Sequence, residues 1–217
     1  MMTLYGYFRS STAYRTRIAM NLKGLSYDNV TVNLAQDEQL EAEFKTLNPQ
    51  GLVPVLQADE LLLYQSPAIL EWLEEVYPEP ALLPKDAAGR MHVRAISAMI
   101  GCDMHPINNR RILQYLRNDL SVDEEKVMAW CQRWMSEGFA ALEKRLAANK
   151  TRGDFCYGDS FTLADCYLIP QVSSARRFKV DLSPYPNIVA VDTNCRTLKA
   201  FADADPMMQP DAPHSLS

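Results

Sequence analysis

The stretch that decides the fold is Leu4-Tyr5-Gly6-Tyr7-Phe8-Arg9-Ser10-Ser11-Thr12-Ala13. Leu4–Phe8 reads as a short strand, and a helix is predicted to open at Ala13, just past a run of three hydroxyl residues. Hydroxyls at a helix start accept hydrogen bonds from backbone N–H groups that the helix leaves unpaired. The same end carries the positive pole of the helix dipole, so it holds an anion, including a thiolate. Gln65-Ser66-Pro67 repeats the arrangement: Ser66 is the expected cap and Pro67 takes the first helical position. Between the two lies Val53-Pro54, at the start of a strand that should be central. Proline there removes a ladder donor; either the strand is an edge strand with a trans proline, or a cis bond in a tight turn accounts for it. Such a bend turns the Val53 N–H and C=O outward, toward an extended, peptide-like ligand. Two helix N-termini and one exposed backbone edge suit a ligand with two negative groups.

Outward from this stretch the chain alternates strand and helix. Ala13–Lys23 is predicted helical, with Gly24 as its stop, and Tyr27–Leu34 alternates as a strand does. Asp37–Leu47 reads as a short helix, Val53–Gln57 and Leu61–Tyr64 as a hairpin, and Pro67–Tyr77 as a helix with an apolar stripe. The order is βαβαββα, an α/β unit over residues 1–80. Three prolines, Pro78, Pro80 and Pro84, mark a stiff boundary. From residue 88 to 217 strand signals vanish, and an all-α unit is expected, with helical patterns over 90–118, 123–148, 163–178 and 186–201. Thr162-Leu163-Ala164-Asp165 is a capping pattern with Phe161 outside it as a staple. The Pro-rich tail after Asp205 is expected to be loose.

Composition narrows the function. The 217 residues carry a net charge of −5 without a long basic run, which argues against nucleic acid. Hydrophobic content of 47% and charged content of 23% are those of a globular protein, and no apolar run is long enough to span a membrane. No signal-peptide pattern opens the chain, so a cytoplasmic location is expected. Five widely spaced cysteines, with no C-x-x-C, read as reduced thiols. Three histidines, none with metal-ligand spacing, make a metal site unexpected.

Several residues are candidates for chemistry. Any of Ser10, Ser11 and Thr12 can cap a helix or donate to a bound thiolate; lowering a thiol by about two units takes roughly 2.7 kcal/mol. Tyr5 and Tyr7 are alternative phenol donors on the first strand. Ser66 is placed to bind a ligand carboxylate, with Gln39 and Gln50 adding amides on the rim. Pro106 should kink a helix within Asp103–Arg111, collecting His105, Asn109, Arg110 and Arg111 at the break. Arg9, Arg110-Arg111 and Arg176-Arg177 each lie at an element end. Each alone reads as a surface charge; if they converged, they would supply forked donors for a dicarboxylate.

The motifs Phe8-Arg9-Ser10-Ser11-Thr12-Ala13-Tyr14-Arg15-Thr16-Arg17-Ile18-Ala19, Asn48-Pro49-Gln50-Gly51-Leu52-Val53-Pro54, Gln65-Ser66-Pro67-Ala68-Ile69-Leu70-Glu71-Trp72-Leu73 and Thr162-Leu163-Ala164-Asp165 resemble those of glutathione transferases. The first motif resembles the zeta class, which includes maleylacetoacetate isomerases. The His105–Arg111 segment looks most like bacterial maleylpyruvate isomerases of that class. The resemblance covers nearly the whole chain. It implies a thioredoxin-like N-terminal domain, an all-helical C-terminal domain, a homodimer, and glutathione as cofactor in a cleft between the domains. By match of motif, Val53 would pair with the cysteinyl backbone, and Gln65 with Ser66 would hold the γ-glutamyl end. Ser10, Ser11 or Thr12 would face the sulfur, with Gln39, Gln50, His105 and Asn109 as further glutathione contacts. Arg9, Arg110, Arg111 and Arg177 would meet the substrate. The implied reaction is glutathione-dependent cis–trans isomerisation of an enedione acid, maleylpyruvate or maleylacetoacetate, in aromatic catabolism. A general transferase acting on electrophiles or peroxides, and a glutathione-binding module without catalysis, remain open. Members of the class often carry cysteine where Thr12 stands, so a thiol-exchange role for this position is not expected.

Overall fold

The computed structural model describes residues 1–150 and 152–213. The chain divides into two compact units: Met1–Leu82 together with the segment from Arg196 onward, and Leu83–Cys195.

In the first unit the order is β1 (Met2–Gly6), α1 (Ser11–Leu22), β2 (Asp28–Thr31), α2 (Ala42–Leu47), β3 (Val55–Ala58), β4 (Leu61–Tyr64) and α3 (Ser66–Val76). The sheet runs β2-β1-β3-β4, with β1 parallel to β2 and antiparallel to β3, and β3 antiparallel to β4. Leu4 lies opposite Leu56 in the register, and both side chains are buried. Ile18 of α1 and Ile69, Leu70 and Leu73 of α3 are fully buried, the apolar stripes that the helical spacing predicts. The strand expected over Tyr27–Leu34 shortens to four exposed residues at the sheet edge. The helix expected over Asp37–Leu47 splits into a 3₁₀ turn (Glu38–Leu40) and α2. Glu41, between the two, is extended (φ −69°, ψ 153°), so no regular helix passes through it.

Lys23 closes the unit. Its ammonium, buried in full, donates to Glu74 Oε2 (2.8 Å) and to the carbonyls of Tyr77 (2.6 Å) and Pro80 (3.1 Å). Glu74 also accepts from the Leu82 N–H. The tail is not loose as its composition suggests. Asn21 donates to the Ala200 carbonyl, Gln209 donates to the carbonyls of Asp203 and Asp205, and Asp211 accepts from the Phe8 N–H.

The second unit contains α4 (Ala87–Ala98), α5 (Arg110–Asn118), α6 (Glu124–Ala148), α7 (Leu163–Arg177) and most of α8 (Pro186–Thr197); α9 (Lys199–Ala204) returns to the first unit. Asp165 is wholly buried at the start of α7 and accepts from the N–H of Cys156 and from the N–H and hydroxyl of Thr162. Burial nonetheless pushes its carboxyl up. Phe161 packs edge-on against Phe155. Glu143 of α6 accepts from the N–H groups of Asn187 and Ile188, satisfying the first turn of α8.

Candidate active site

The start of α1 is built as a network of hydroxyls. Ser10 is the cap, in extended conformation, and its Oγ accepts from the Ala13 N–H at 3.2 Å. The Thr12 hydroxyl donates to the Val53 carbonyl at 2.9 Å and stands 2.9 Å from Ser10 Oγ. Ser11 is the first helical residue and is half-buried. The turn ahead of the hydroxyls is gripped from behind. Buried Arg17 donates to the carbonyls of Phe8 (3.0 Å) and Ala204 (3.1 Å), and burial lowers its guanidinium to about 10, still charged at neutral pH. Arg9 is exposed, its guanidinium carbon 5.8 Å from the centre of the Phe8 ring. The alternative phenol donors have these surroundings. Tyr5 donates to Gln57 within the sheet, and the Tyr7 ring packs on Phe8.

The loop from Asn48 to Pro54 brings the backbone edge to the same place. Buried Asn48 donates to the Leu52 carbonyl (2.8 Å) and accepts from the Gln50 N–H (3.1 Å). The Val53–Pro54 bond is cis, as the proline in a central strand suggested. Among the described residues the N–H of buried Val53 meets no acceptor. A backbone N–H that no protein group satisfies is open to a ligand carbonyl.

The start of α3 departs from expectation. Ser66 is not the cap. Gln65 holds that position, with φ 66°, and no side chain caps the helix. Ser66 is instead its first residue, 3% exposed. The left-handed Gln65 turns the chain into the helix directly, so the first N–H groups are left for an anion. Gln65 Nε2 donates to Gln50 Oε1 at 2.6 Å, joining two of the expected amides. Gln39 is not on the rim. It is buried, donates to Asp37 Oδ1 (3.0 Å), and its Oε1 lacks a partner among the described residues.

In the second unit the helical pattern over 90–118 breaks more elaborately than a proline kink. Met99–Met104 forms a π-helical turn, with the His105 N–H on the Ile100 carbonyl, and Pro106–Asn108 is 3₁₀. Met104 sits against Gly138 of α6, so closely that a Cβ there would come within 2.3 Å of its sulfur. Asn108 donates to the Met104 carbonyl and Trp130 to the Ile107 carbonyl. Asn109 caps α5, and its amide lies 3.4 Å from His105 Nε2, so these two do share a face. Arg110 is half-buried and Arg111 exposed. Of the pair at the end of α7, Arg176 is engaged by buried Asp192 at 2.5 Å, while Arg177 stands over the Phe178 ring.

Asn48, Arg17 and Asp211 are supporting residues that sequence reasoning missed. Asn48 and Arg17 left a signal only as members of the quoted motifs, and Asp211 left none. Among the described residues no cluster of His, Cys, Asp or Glu could hold a metal, and no helix is long and apolar enough to cross a membrane.

A sheet of this order, with a hydroxyl-rich helix start beside a cis-proline loop, defines a glutathione-binding fold. The chain belongs to the glutathione S-transferase family, in its zeta class: the family's N-terminal domain matches residues 9–76 and its C-terminal domain residues 135–191. It is 57% identical to the maleylpyruvate isomerase of a Ralstonia species, over 97% of this chain and all of that one. A solved holo structure of a maleylpyruvate isomerase, a bacterial zeta-class enzyme, superposes with TM-score 0.96 at 57% identity, covering 97% of this chain and 99% of that one. The maleylacetoacetate isomerase of Anaeromyxobacter dehalogenans, solved with dicarboxyethyl glutathione and citrate, gives TM-score 0.88 at 43% identity, covering 99% and 95%.

Proposed function

We propose that the protein is a glutathione-dependent cis–trans isomerase of an enedione acid, with maleylpyruvate as substrate in preference to maleylacetoacetate. The observation that carries the reading is the Val53 N–H, which meets no acceptor among the described residues, beside the hydroxyl turn and the uncapped start of α3. These are the donors and acceptors an extended γ-glutamyl tripeptide needs. The 57% identity to a maleylpyruvate isomerase supports the choice of substrate.

Glutathione would be held by Val53 at its cysteinyl backbone, by Gln65 and Ser66 at its γ-glutamyl end, and by Gln50, His105 and Asn109 elsewhere; Gln39, enclosed by its own loop, is left out. When bound it supplies a thiolate nucleophile to the conjugated double bond and is regenerated. The protein's tasks are to keep that sulfur ionised and to bind the diacid. The α1 dipole and a hydroxyl of the Ser10-Ser11-Thr12 turn serve the first. Of these, Ser11 is the proposed donor. Arg9, Arg110, Arg111 and Arg177 serve the second, as forked donors to carboxylate and developing enolate oxygens. We also propose a homodimer, supported by exposed Leu61, Leu62 and Tyr64 on the edge strand β4.

The test is a spectrophotometric isomerase assay on maleylpyruvate and maleylacetoacetate, with and without glutathione. Turnover should require glutathione and favour maleylpyruvate. Equal rates without glutathione, or faster conjugation of a chlorinated aromatic, would replace the isomerase reading with another. Ser11→Ala should raise the pKa of bound glutathione, read from thiolate absorbance.

A further inference from the structure

We propose that Thr12 is a positioning residue: its hydroxyl fixes the Val53 carbonyl edge on which glutathione docks, and does not serve the sulfur. This deepens the glutathione reading and rests on it.

Proton bookkeeping carries the argument. A hydroxyl has one proton and a carbonyl has none. At the 2.9 Å contact between Thr12 and Val53, Thr12 must therefore be the donor. At the 2.9 Å contact between Ser10 and Thr12, the proton must then come from Ser10. The Ser10 oxygen meanwhile accepts from the Ala13 N–H. The chain of donation runs Ser10 to Thr12 to Val53, and both protons are used within the protein. A sulfur placed at this turn would find no proton on Thr12 without breaking the link to Val53.

The link has a use. Val53 is the last residue before the cis bond that leads into β3, and upstream the loop is held by Asn48 through the Leu52 carbonyl. Thr12 is the side chain that orients the Val53 peptide from the helix side. A carbonyl oxygen has two lone pairs, so Val53 can accept from Thr12 and still accept from a ligand N–H, while its own N–H awaits a ligand carbonyl. The helix start that polarises the sulfur and the backbone that aligns the peptide are thus joined by one hydroxyl.

The experiment uses the full chain with Thr12→Val, which keeps the shape and loses the donor, and Thr12→Ser, which restores it; Thr12→Ala replaces the valine variant should that one fail to fold. Glutathione affinity is measured by calorimetry, the pKa of bound glutathione by thiolate absorbance, and amide exchange over residues 50–55 on the unliganded protein. Thr12→Val should weaken glutathione binding about threefold to tenfold, speed exchange in that segment, and leave the thiolate pKa unchanged; Thr12→Ser should return all three. A raised thiolate pKa with unchanged affinity would make Thr12 a sulfur donor and overturn the proposal, as would unaltered exchange. If the wild type took up no glutathione, the functional reading would fall, whereas the exchange comparison would still decide whether Thr12 holds Val53.

Discussion

Replacing Gly51 by alanine should damage the glutathione site in a way that a second glycine substitution isolates. Gly51 has φ 62°, a left-handed conformation that costs a residue bearing a Cβ about 1 kcal/mol. Its Cβ would also lie 2.9 Å from the Gln39 carbonyl oxygen and 3.1 Å from Leu40 Cδ2. The first contact is with backbone, which cannot swing aside, so the Asn48–Val53 loop must move by several tenths of an ångström. Overpacking of this kind adds about 1–2 kcal/mol. Gly24 is the control: its φ is 66°, but a Cβ there meets nothing within 4 Å. Gly24→Ala should therefore lower Tm by roughly 2–4 °C and Gly51→Ala by roughly 4–12 °C. Calorimetry should show glutathione affinity intact in Gly24→Ala and about tenfold weaker in Gly51→Ala. If the two variants bound glutathione equally well, or melted together, the loop would not be registered by its fit against Gln39 and the reasoning would fail.

The two arginines ending α7 should separate cleanly. Arg177→Ala should raise KM for the diacid about tenfold or more and lower Tm by less than Arg176→Ala, which strips the guanidinium from buried Asp192 and should cost about 2–3 kcal/mol of stability while leaving KM alone. Glu74→Ala leaves the buried Lys23 ammonium without its counter-ion and should destabilise by about 3–5 kcal/mol; a loss under about 1 kcal/mol in thermal unfolding would contradict the burial. A thiol reagent at pH 8 should modify Cys102 rapidly and the other cysteines only on unfolding. Cys102 is the exposed one, burial pushes Cys131 up to about 11, and Cys156 is held well above its ordinary value, so these thiols stay protonated across that pH.

Local chemistry made much of this legible. Ser10 before α1 and Asp165 at the start of α7 act where their short polar side chains predict. Pro54 in an otherwise central strand pointed to the cis bond, and Pro106 to the broken helix. What stayed hidden depends on contacts distant in sequence. Ser66 looks like a cap, but the cap depends on the φ of Gln65, which the residue types do not reveal. Gln39 reads as a surface amide until Asp37 and the Gly51 loop enclose it. Proline at 106 predicts a lost hydrogen bond, not the π turn ahead of it, which depends on the notch that Gly138 offers Met104. The tail reads as loose because its anchors, Phe8, Arg17 and Asn21, lie at the other end of the chain.

That last arrangement has a consequence for biogenesis. The unit carrying the hydroxyl turn is assembled from both extremities of the polypeptide, since Ala200, Ala204 and Asp211 complete the hydrogen bonding of Asn21, Arg17 and Phe8. On a ribosome, the helical unit in the middle is synthesised whole while its predecessor still waits for its final partners. The portion translated first is therefore the portion finished last. A nascent chain stalled short of residue 211 would carry the Ser10-Ser11-Thr12 turn in an unclosed frame.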